Sequence, residues 1–396
     1  MCRVILKRDR DRAVRLRHPW IFSGAIKSID DSAVDGAVVE VYASDGQWLA
    51  RGYLNRRSQI CIRLCTWDPE EILDTAFWRK HLIQAVSGRA DLESEPSVTA
   101  YRLVNAESDG LPGLIVDRYG EWLVLQALTR GADVTKGEIA SILWDVVPDV
   151  QGIFERSDVD VRQKEGLDLC KGPLMGSEPP ELVEILENGH RFLVDIRDGH
   201  KTGFYLDQRE NRQRFSGYCA GAEVLNAFSY TGAFGTYALS GNARNVVNID
   251  TSAAALEVAR KVAELNGYDQ MQIEYREADV FAELRRFRGE KRSFDVVVLD
   301  PPRFALSRSH VKKAARGYKD INWIAFQILR PGGILFTFSC SGLVSRELFR
   351  KIVSDATLDA GREAQILGWL SQGSDHPSAL NFPESEYLKG LICRVS

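Results

Sequence analysis

A chain of 396 residues is longer than one hydrophobic core normally organises, so two or three domains are expected. Hydrophobic residues make up 44% and charged residues 27%, a balance that excludes a disordered or membrane-embedded chain, and the net charge of −4 argues against uniform coating of nucleic acid while allowing a local basic patch. Apolar stretches such as Val296 to Leu299 and Ile334 to Phe338 fall far short of the ~20 residues of a membrane helix, and no apolar signal segment follows Met1, so a cytoplasmic protein without membrane partners is expected.

The basic patch lies first in the chain. Between Met1 and Arg17 stand seven basic residues against Asp9 and Asp11, and Arg8, Arg12 and Arg15 are candidate phosphate contacts. A merely solvated edge explains them equally well. Val38 to Tyr42, the turn Ser44-Asp45-Gly46, Trp48 to Tyr53 and Gln59 to Leu64 read as short strands of a small barrel or sandwich. Cys61 and Cys65 come closest to a metal pair, but alternation with Ile60, Ile62 and Leu64 makes them strand residues. The seven cysteines form no CxxC pair, which fits reduced thiols and no metal.

Helical spacing of Ile72, Ala76, Phe77, His81, Leu82 and Ala85 predicts a helix from about Pro69 to Arg89. Tyr101 to Val104, Gly113 to Asp117 and Trp122 to Ala127 then read as strands, Lys136 to Val146 as a helix and Gly152 to Arg156 as a strand. The Pro-containing stretch Gly176-Ser-Glu-Pro-Pro-Glu looks like a boundary, which gives domains of about 1–75, 76–183 and 184–396. From about Gly221, strands and helices alternate strictly: Glu223 to Phe228, Ala233 to Leu239, Asn245 to Ile249, Ser252 to Asn266, Gln272 to Glu277, Phe281 to Phe287, Phe294 to Leu299, then a helix over Lys312 to Leu329. Pro331-Gly332-Gly333 turns the chain into the strand Ile334 to Ser339. That rhythm marks a parallel sheet covered on both faces.

Five features fall at strand ends, where open α/β sheets bind ligands. They are Asn226-Ala-Phe-Ser-Tyr-Thr-Gly232-Ala-Phe-Gly235, Asp250, Glu277-Ala-Asp279, Asp300-Pro-Pro-Arg-Phe304 and Ser339-Cys340-Ser341-Gly342. Glycine lets backbone approach a ligand, and a following helix start offers free amides. Asp250 stands where a carboxylate receives ribose hydroxyls, and Asp279 where one receives an adenine amino group. Singly, each has a bland reading as a turn, strand end or helix cap; their joint order favours a nucleoside cofactor. A nicotinamide fold would prefer GxGxxG, which Ser229-Tyr-Thr-Gly-Ala-Phe-Gly lacks.

His200-Lys-Thr-Gly-Phe-Tyr-Leu-Asp-Gln-Arg209, together with the Asn226, Asp300 and Ser339 motifs, resembles the ribosomal large-subunit RNA methyltransferase I family, cytosine-C5 methyltransferases of 23S ribosomal RNA. His18-Pro-Trp-Ile-Phe-Ser-Gly24 is similar to the entry of that family's PUA domain, and Gly110-Leu-Pro-Gly-Leu-Ile-Val-Asp-Arg-Tyr119 to its central domain, so the likeness spans nearly the whole chain. It implies an α/β protein: an N-terminal PUA-like β-barrel, a central α+β domain of EEHEE type and a C-terminal Rossmann-like class I methyltransferase domain. It further implies S-adenosylmethionine held by Phe204, Gln208, Asn226, Phe228, Thr231, Gly232, Asp250, Asp279, Asp300 and Pro301, with 23S rRNA as partner. The sequence leaves the oligomeric state open, a homodimer included.

Carbon 5 of cytosine attacks a methyl sulfonium only after a thiolate has added to carbon 6. Cys340 is the candidate thiol, and its pKa must fall from about 8.5. A small buried strand-end residue is its bland reading. Asp300 would contact the base edge and stabilise the charge that develops there. Many cytosine-C5 RNA methylases carry a second cysteine near the Asp-Pro-Pro loop; neither this chain nor the resembled family does, so the base that takes the carbon 5 proton has no candidate. Lys201, Arg303 and Phe304 are expected at the RNA, with Arg209 extending the basic track, and Phe204, Tyr205 and Phe304 are candidates to stack on a flipped base or the adenine, or ordinary core aromatics. A guanine-N2 methylase, which would favour Asn-Pro-Pro and need no Cys340, and an RNA-binding assembly protein with an inactive methylase scaffold are the alternatives.

Overall fold

The computed structural model describes residues 1–305 and 307–396. The chain forms two units, one of Met1–Leu186 with Val194–Leu206 and Ser374–Ser385, the other of Glu187–Leu193, Asp207–Gly373 and Glu386–Ser396.

The first unit begins with β1 (Cys2–Leu6), α1 (Arg12–Arg15), β2 (Trp20–Phe22), β3 (Ile26–Ile29), β4 (Val38–Tyr42), β5 (Trp48–Leu54) and β6 (Ile60–Thr66). They make a six-stranded sheet of order β2-β6-β5-β4-β1-β3, in which only β1 and β4 run parallel. The three earliest strands were not expected, because they are short (β2 has three residues) and Arg3, Lys27 and Ser28 interrupt β1 and β3; Val4 and Leu6 nevertheless face the core beside Val39, Val41 and Ile62. Cys61 and Cys65 are both buried on β6.

A second layer follows: α2 (Thr75–Ser87), α3 (Ala90–Glu93), β7 (Ala100–Asn105), β8 (Leu114–Tyr119), β9 (Trp122–Ala127), α4 (Arg130–Val146), β10 (Gly152–Ser157), α5 (Val161–Lys164) and β11 (Cys170–Gly176). The sheet order is β11-β10-β9-β8-β7, with α4 as the crossover between the parallel pair β9 and β10. Two helix starts differ from expectation for the same reason, a capping side chain. Asp74 accepts the Phe77 amide at 3.0 Å, so α2 starts at Thr75 and not Pro69, and Thr129 accepts the Ala132 amide at 3.4 Å, so α4 starts ahead of Lys136. A hairpin of β12 (Val183–Glu187) and β13 (His190–Val194) follows.

The second unit contains α6 (Arg209–Ser216), β14 (Glu223–Ala227), α7 (Ala233–Ser240), β15 (Asn245–Asp250), α8 (Ala253–Leu265), β16 (Ile273–Glu277), α9 (Val280–Gly289), β17 (Phe294–Leu299), α10 (Val311–Ile328), β18 (Leu329–Ser339), α11 (Arg346–Asp359), β19 (Ala364–Ser371) and β20 (Lys389–Val395). Its seven strands lie in the order β16-β15-β14-β17-β18-β20-β19; the first five are parallel, and β20 runs antiparallel to both neighbours. The α/β expectation is met, and Val296 to Leu299, buried on both faces, read as a continuous apolar run for that reason. The residues Pro331-Gly332-Gly333 lie inside β18 and not before it, since Leu329 already pairs with Phe294; the register then shifts to Val296 opposite Ile334. Among the described residues no helix is long and apolar enough to cross a membrane.

One buried ion pair ties α6 to the rest of the second unit. The Arg212 guanidinium donates to both Glu187 carboxylate oxygens at 2.7 and 2.6 Å, with both side chains almost fully buried. Such a pair contributes little net, but removing one partner strands a buried charge. Glu187→Ala is expected to cost about 3–5 kcal/mol in urea denaturation, and the apolar pair Glu187→Leu with Arg212→Met to recover most of that loss; equal stability of Glu187→Ala and the native chain would contradict this.

Candidate active site

In the seven-stranded sheet the strand order reverses at β14, which has β15 on one side and β17 on the other. The carboxyl ends of strands flanking such a switch point form the ligand crevice of open α/β sheets. The loop leaving β14 is tightly coiled: Phe228, Tyr230 and Gly232 have φ of 62°, 47° and 75°. For non-glycine residues this conformation is strained, and strain of this kind concentrates at ligand sites. The loop is held by its backbone, since Tyr230 donates to Asp250 Oδ2 at 2.8 Å, Ser229 to the Ile249 carbonyl at 2.9 Å and Gly232 to the Ser229 carbonyl at 2.8 Å. The Ser229 and Thr231 hydroxyls are buried yet have no hydrogen-bond partner among the described residues. Orphaned hydroxyls beside the amide-rich start of α7 fit a polar ligand.

Glycine is needed at two points here. A Cβ at Gly232 would sit 2.8 Å from the Ala259 methyl, in addition to its left-handed φ, and one at Gly235 would come 2.5 Å from Asn248 Oδ1. Asn248 in turn accepts from Asn226 Nδ2 at 2.8 Å, so Asn226 is a fully buried strand residue that braces the floor beneath α7.

Asp250 ends β15 half-buried, its Oδ1 also accepting the Ser252 amide at 3.0 Å; each oxygen keeps a second lone pair for a hydroxyl. Asp279 is exposed and caps α9 through Oδ1, which accepts the Ala282 amide at 2.8 Å, with Oδ2 still available on the geometry of a carboxylate. Phe228 packs edge-on against Phe281, ring centroids 6.4 Å apart, and the row continues through Phe304 to Tyr318 at 5.9 and 4.7 Å. Phe304 is therefore a half-buried member of the core rim.

Asp300 and Cys340 emerge from adjacent strands, β17 and β18, with Leu299 opposite Thr337. Gln208 donates from Nε2 to Asp300 Oδ2 at 3.0 Å and accepts from Asn211 Nδ2 at 2.6 Å, so this buried glutamine aims the carboxylate. Pro301 is buried, and its carbonyl oxygen lies 3.8 Å from Cys340 Sγ. Cys340 is half-buried, unlike Cys219 and Cys393, whose thiols burial pushes up to about 12. The turn after Cys340 is tied down from three sides: the Ser341 hydroxyl accepts the Ala305 amide at 3.2 Å and meets the Tyr318 hydroxyl at 3.0 Å, while Lys389 Nζ donates to the Ser341 and Val344 carbonyls at 2.8 and 2.7 Å. Arg303 is exposed and donates from Nε to the Ala305 carbonyl at 3.1 Å.

Phe204 and Lys201 belong to the first unit. Phe204 is buried and its amide donates to the Tyr119 hydroxyl at 3.2 Å, while the Lys201 ammonium lies 4.4 Å above the Tyr205 ring. Between them Thr202 donates to Asp117 Oδ2 at 2.6 Å, and Asp117 also receives a bidentate Arg102 at 2.7 and 3.0 Å; this part of the 200–209 motif is an internal clasp. Arg209 is buried and paired with Glu210 at 2.9 Å, so its place on an exposed basic track is corrected: it sits in the first turn of α6, turned inward. Arg8, Arg12 and Arg15 are all exposed, with Arg15 paired to Asp11 at 2.6 Å.

Sequence reasoning passed over Asn248, Tyr318 and Lys389. Each leaves a trace: a polar residue within the apolar strand Val246-Val-Asn-Ile, a tyrosine on the apolar face of α10, and a lysine at the head of Gly390-Leu-Ile-Cys.

Comparison with known proteins agrees with this architecture. Residues 158–380 match the S-adenosylmethionine-dependent methyltransferase model and residues 4–67 a PUA-like domain. Two solved structures, a SAM-dependent methyltransferase from Streptococcus mutans and a methyltransferase complexed with SAH, superpose over 100% of both chains with TM-scores of 0.87 and 0.88; at 23% and 24% identity these show the fold. The protein is thus an S-adenosylmethionine-dependent methyltransferase with an N-terminal PUA-like domain. Proteins named Ribosomal RNA large subunit methyltransferase I are 52% identical over 392 residues in Aeromonas salmonicida (99% of each chain) and 47% over 393 residues in Klebsiella pneumoniae (99% of this chain, 98% of that one). The chain belongs to the ribosomal RNA large subunit methyltransferase I family.

Gly232→Ala combines the left-handed cost of ~1–2 kcal/mol with the Ala259 contact, so calorimetry should show S-adenosylmethionine affinity at least about tenfold weaker. Gly332→Ala carries similar strain at φ 79° with open space around it, at the opposite end of the sheet, and should leave affinity within about twofold. Equal affinities for both variants would contradict a cofactor loop at Gly232.

Proposed function

We propose that the enzyme methylates carbon 5 of a specific cytosine in 23S ribosomal RNA by way of a covalent adduct with Cys340. The observation that carries this reading is the half-exposed Cys340 thiol, 3.8 Å from the carbonyl of the residue after Asp300, just past the end of the strand next to the one Asp300 follows. The name borne by the relatives supports large-subunit rRNA as the substrate.

The roles follow from chemistry and placement. Asp250 accepts the ribose hydroxyls and Asp279 the adenine amino group. Phe228, Thr231, Gly232 and Pro301 line the cofactor, Asn226, Gln208 and Asp300 belong to the same set and are held by the Asn226–Asn248 and Gln208–Asp300 hydrogen bonds, and Phe204 of the 200–209 motif is assigned to the cofactor with them. S-adenosylmethionine, when bound, supplies an electrophilic methyl group. The Cys340 thiolate adds to carbon 6 of cytosine, and Asp300, protonated in the bound complex, lends N3 a proton that neutralises the charge moving into the ring while its other oxygen accepts from the amino group. Carbon 5 then takes the methyl group, its proton leaves to a base or water, and the carbon–sulfur bond breaks as the carbon 5–carbon 6 double bond re-forms. Carbon 5 is inaccessible within a stacked helix, so the target is unpaired or flipped, with Arg303 and Phe304 beside it. Arg8, Arg12, Arg15 and Lys201 contact phosphates, and the division into a PUA-like 1–75, a central 76–183 and a catalytic 184–396 domain belongs to the same proposal.

Cys340→Ala should abolish 5-methylcytosine formation in 23S rRNA while leaving S-adenosylmethionine affinity within a few-fold, and Asp250→Ala should weaken that affinity by about tenfold or more. Full methylation by Cys340→Ala would overturn the thiol mechanism. Methylation of guanine N2, read by nucleoside mass spectrometry of the product RNA, would overturn the base assignment.

A further inference from the structure

Lys389 is a buried lysine, 5% exposed, on the first position of β20 and directly opposite Ser339, the residue before Cys340. Its two recorded hydrogen bonds both go to carbonyls of the turn that follows the thiol, those of Ser341 and Val344. Among the described residues it makes no ion pair with a carboxylate. A buried ammonium without a counter-ion is costly, because burial strips its hydration and carbonyl dipoles replace only part of it.

Cys340, Arg303 and Arg346 are the titratable groups whose charge bears on Lys389 among the described residues. Both guanidinia are exposed and engaged elsewhere, Arg303 on the Ala305 carbonyl and Arg346 over the Trp369 ring at 5.1 Å. Tyr318 faces the same turn from α10, and burial raises its pKa, so it is neutral and adds no charge. Asp300 follows the neighbouring strand, one residue before the Pro301 carbonyl that Cys340 meets, and a carboxylate there opposes thiolate formation. Among the described groups that face Lys389, the Cys340 thiol is one that can become an anion.

We propose that Lys389 is a positioning residue for Cys340: its ammonium fixes the turn that carries the thiol and supplies the positive charge that keeps the sulfur a thiolate against the nearby Asp300 carboxylate. The proposal rests on the cysteine mechanism put forward above and names how its nucleophile is activated. Because the charge is buried, its field on the sulfur escapes the screening that weakens the exposed arginines. The cost of burial also appears in Lys389 itself, whose pKa is lowered to about 8, first by desolvation and then by the two arginines. Lys389 is therefore charged at neutral pH and loses its proton just above, so the stabilisation it gives the thiolate fades in mildly alkaline solution.

The test is alkylation of the full-length protein by iodoacetamide across pH, without RNA, reading the Cys340 peptide by mass spectrometry. The native thiol should titrate at least about one unit below the ordinary value of about 8.5. Lys389→Gln, which keeps donors for the carbonyls and removes the charge, should raise that midpoint by about one unit or more. It should also lower kcat at neutral pH by about tenfold with KM for RNA within a few-fold, and part of kcat should return as pH rises. Lys389→Arg should keep the midpoint low, and Arg346→Gln should barely move it. An ordinary midpoint in the native protein overturns the proposal without any variant, as does a Lys389→Gln profile that superimposes on the native one while S-adenosylmethionine still binds. Since the readout is the thiol alone, this result is separate from that of Cys340→Ala: methylation surviving in Cys340→Ala would remove the mechanism, and an unmoved midpoint would remove only the role of Lys389.

Discussion

The parallel register of β14, β17 and β18 is the constraint on which the candidate site depends. These strands are buried on both faces, and a slip of one residue would turn their apolar set toward the wrong layer. Their carboxyl ends are therefore fixed relative to one another, and with them the coiled 228–232 loop, Asp300 and Cys340. Asp250, Asp300 and Cys340 each hang from the end of a strand whose position the core already sets. The antiparallel β20 adds one further element to that edge, and it brings Lys389 beside the cysteine turn.

Much of this was legible in the amino-acid sequence where local pattern and tertiary burial agree. The alternation from Glu223 to Ser339 is read directly as a doubly covered parallel sheet, because buried parallel strands are apolar throughout and their helices are amphipathic. Reading failed where a charged or small residue does structural work. Arg3 and Lys27 with Ser28 hide β1 and β3, the three residues of β2 are too few to show a pattern, the register shift hides Pro331 to Gly333 within β18, and Lys389 with Gly390 disguises the head of β20. The same physics displaced Arg209, which pattern alone makes a surface cation and the fold buries.

The resemblance motif His200 to Arg209 divides into parts with different physical work. Thr202, bonded to Asp117, and Phe204, bonded to Tyr119 through its amide, clasp the segment to strands of the first unit, whereas Gln208 in the second unit orients Asp300. A motif that reads as one functional signature thus combines a structural clasp with a positioning hydrogen bond. Asn226 shows the same distinction on a smaller scale, since its amide faces Asn248 in the floor of the site. Polar residues held in fixed hydrogen bonds behind a reacting group preserve geometry that exposed residues could not.

The central claim is covalent: one sulfur, that of Cys340, bonds to carbon 6 of the target cytosine. An RNA carrying 5-fluorocytosine at the target has no proton to lose from carbon 5, so after methylation the carbon–sulfur bond cannot break. Incubated with the full-length enzyme and S-adenosylmethionine, such an RNA should form a denaturation-resistant complex whose cross-linked peptide contains Cys340. Methyl transfer to the unsubstituted RNA at full rate, with no adduct through Cys340 on the fluorinated one, would contradict the account.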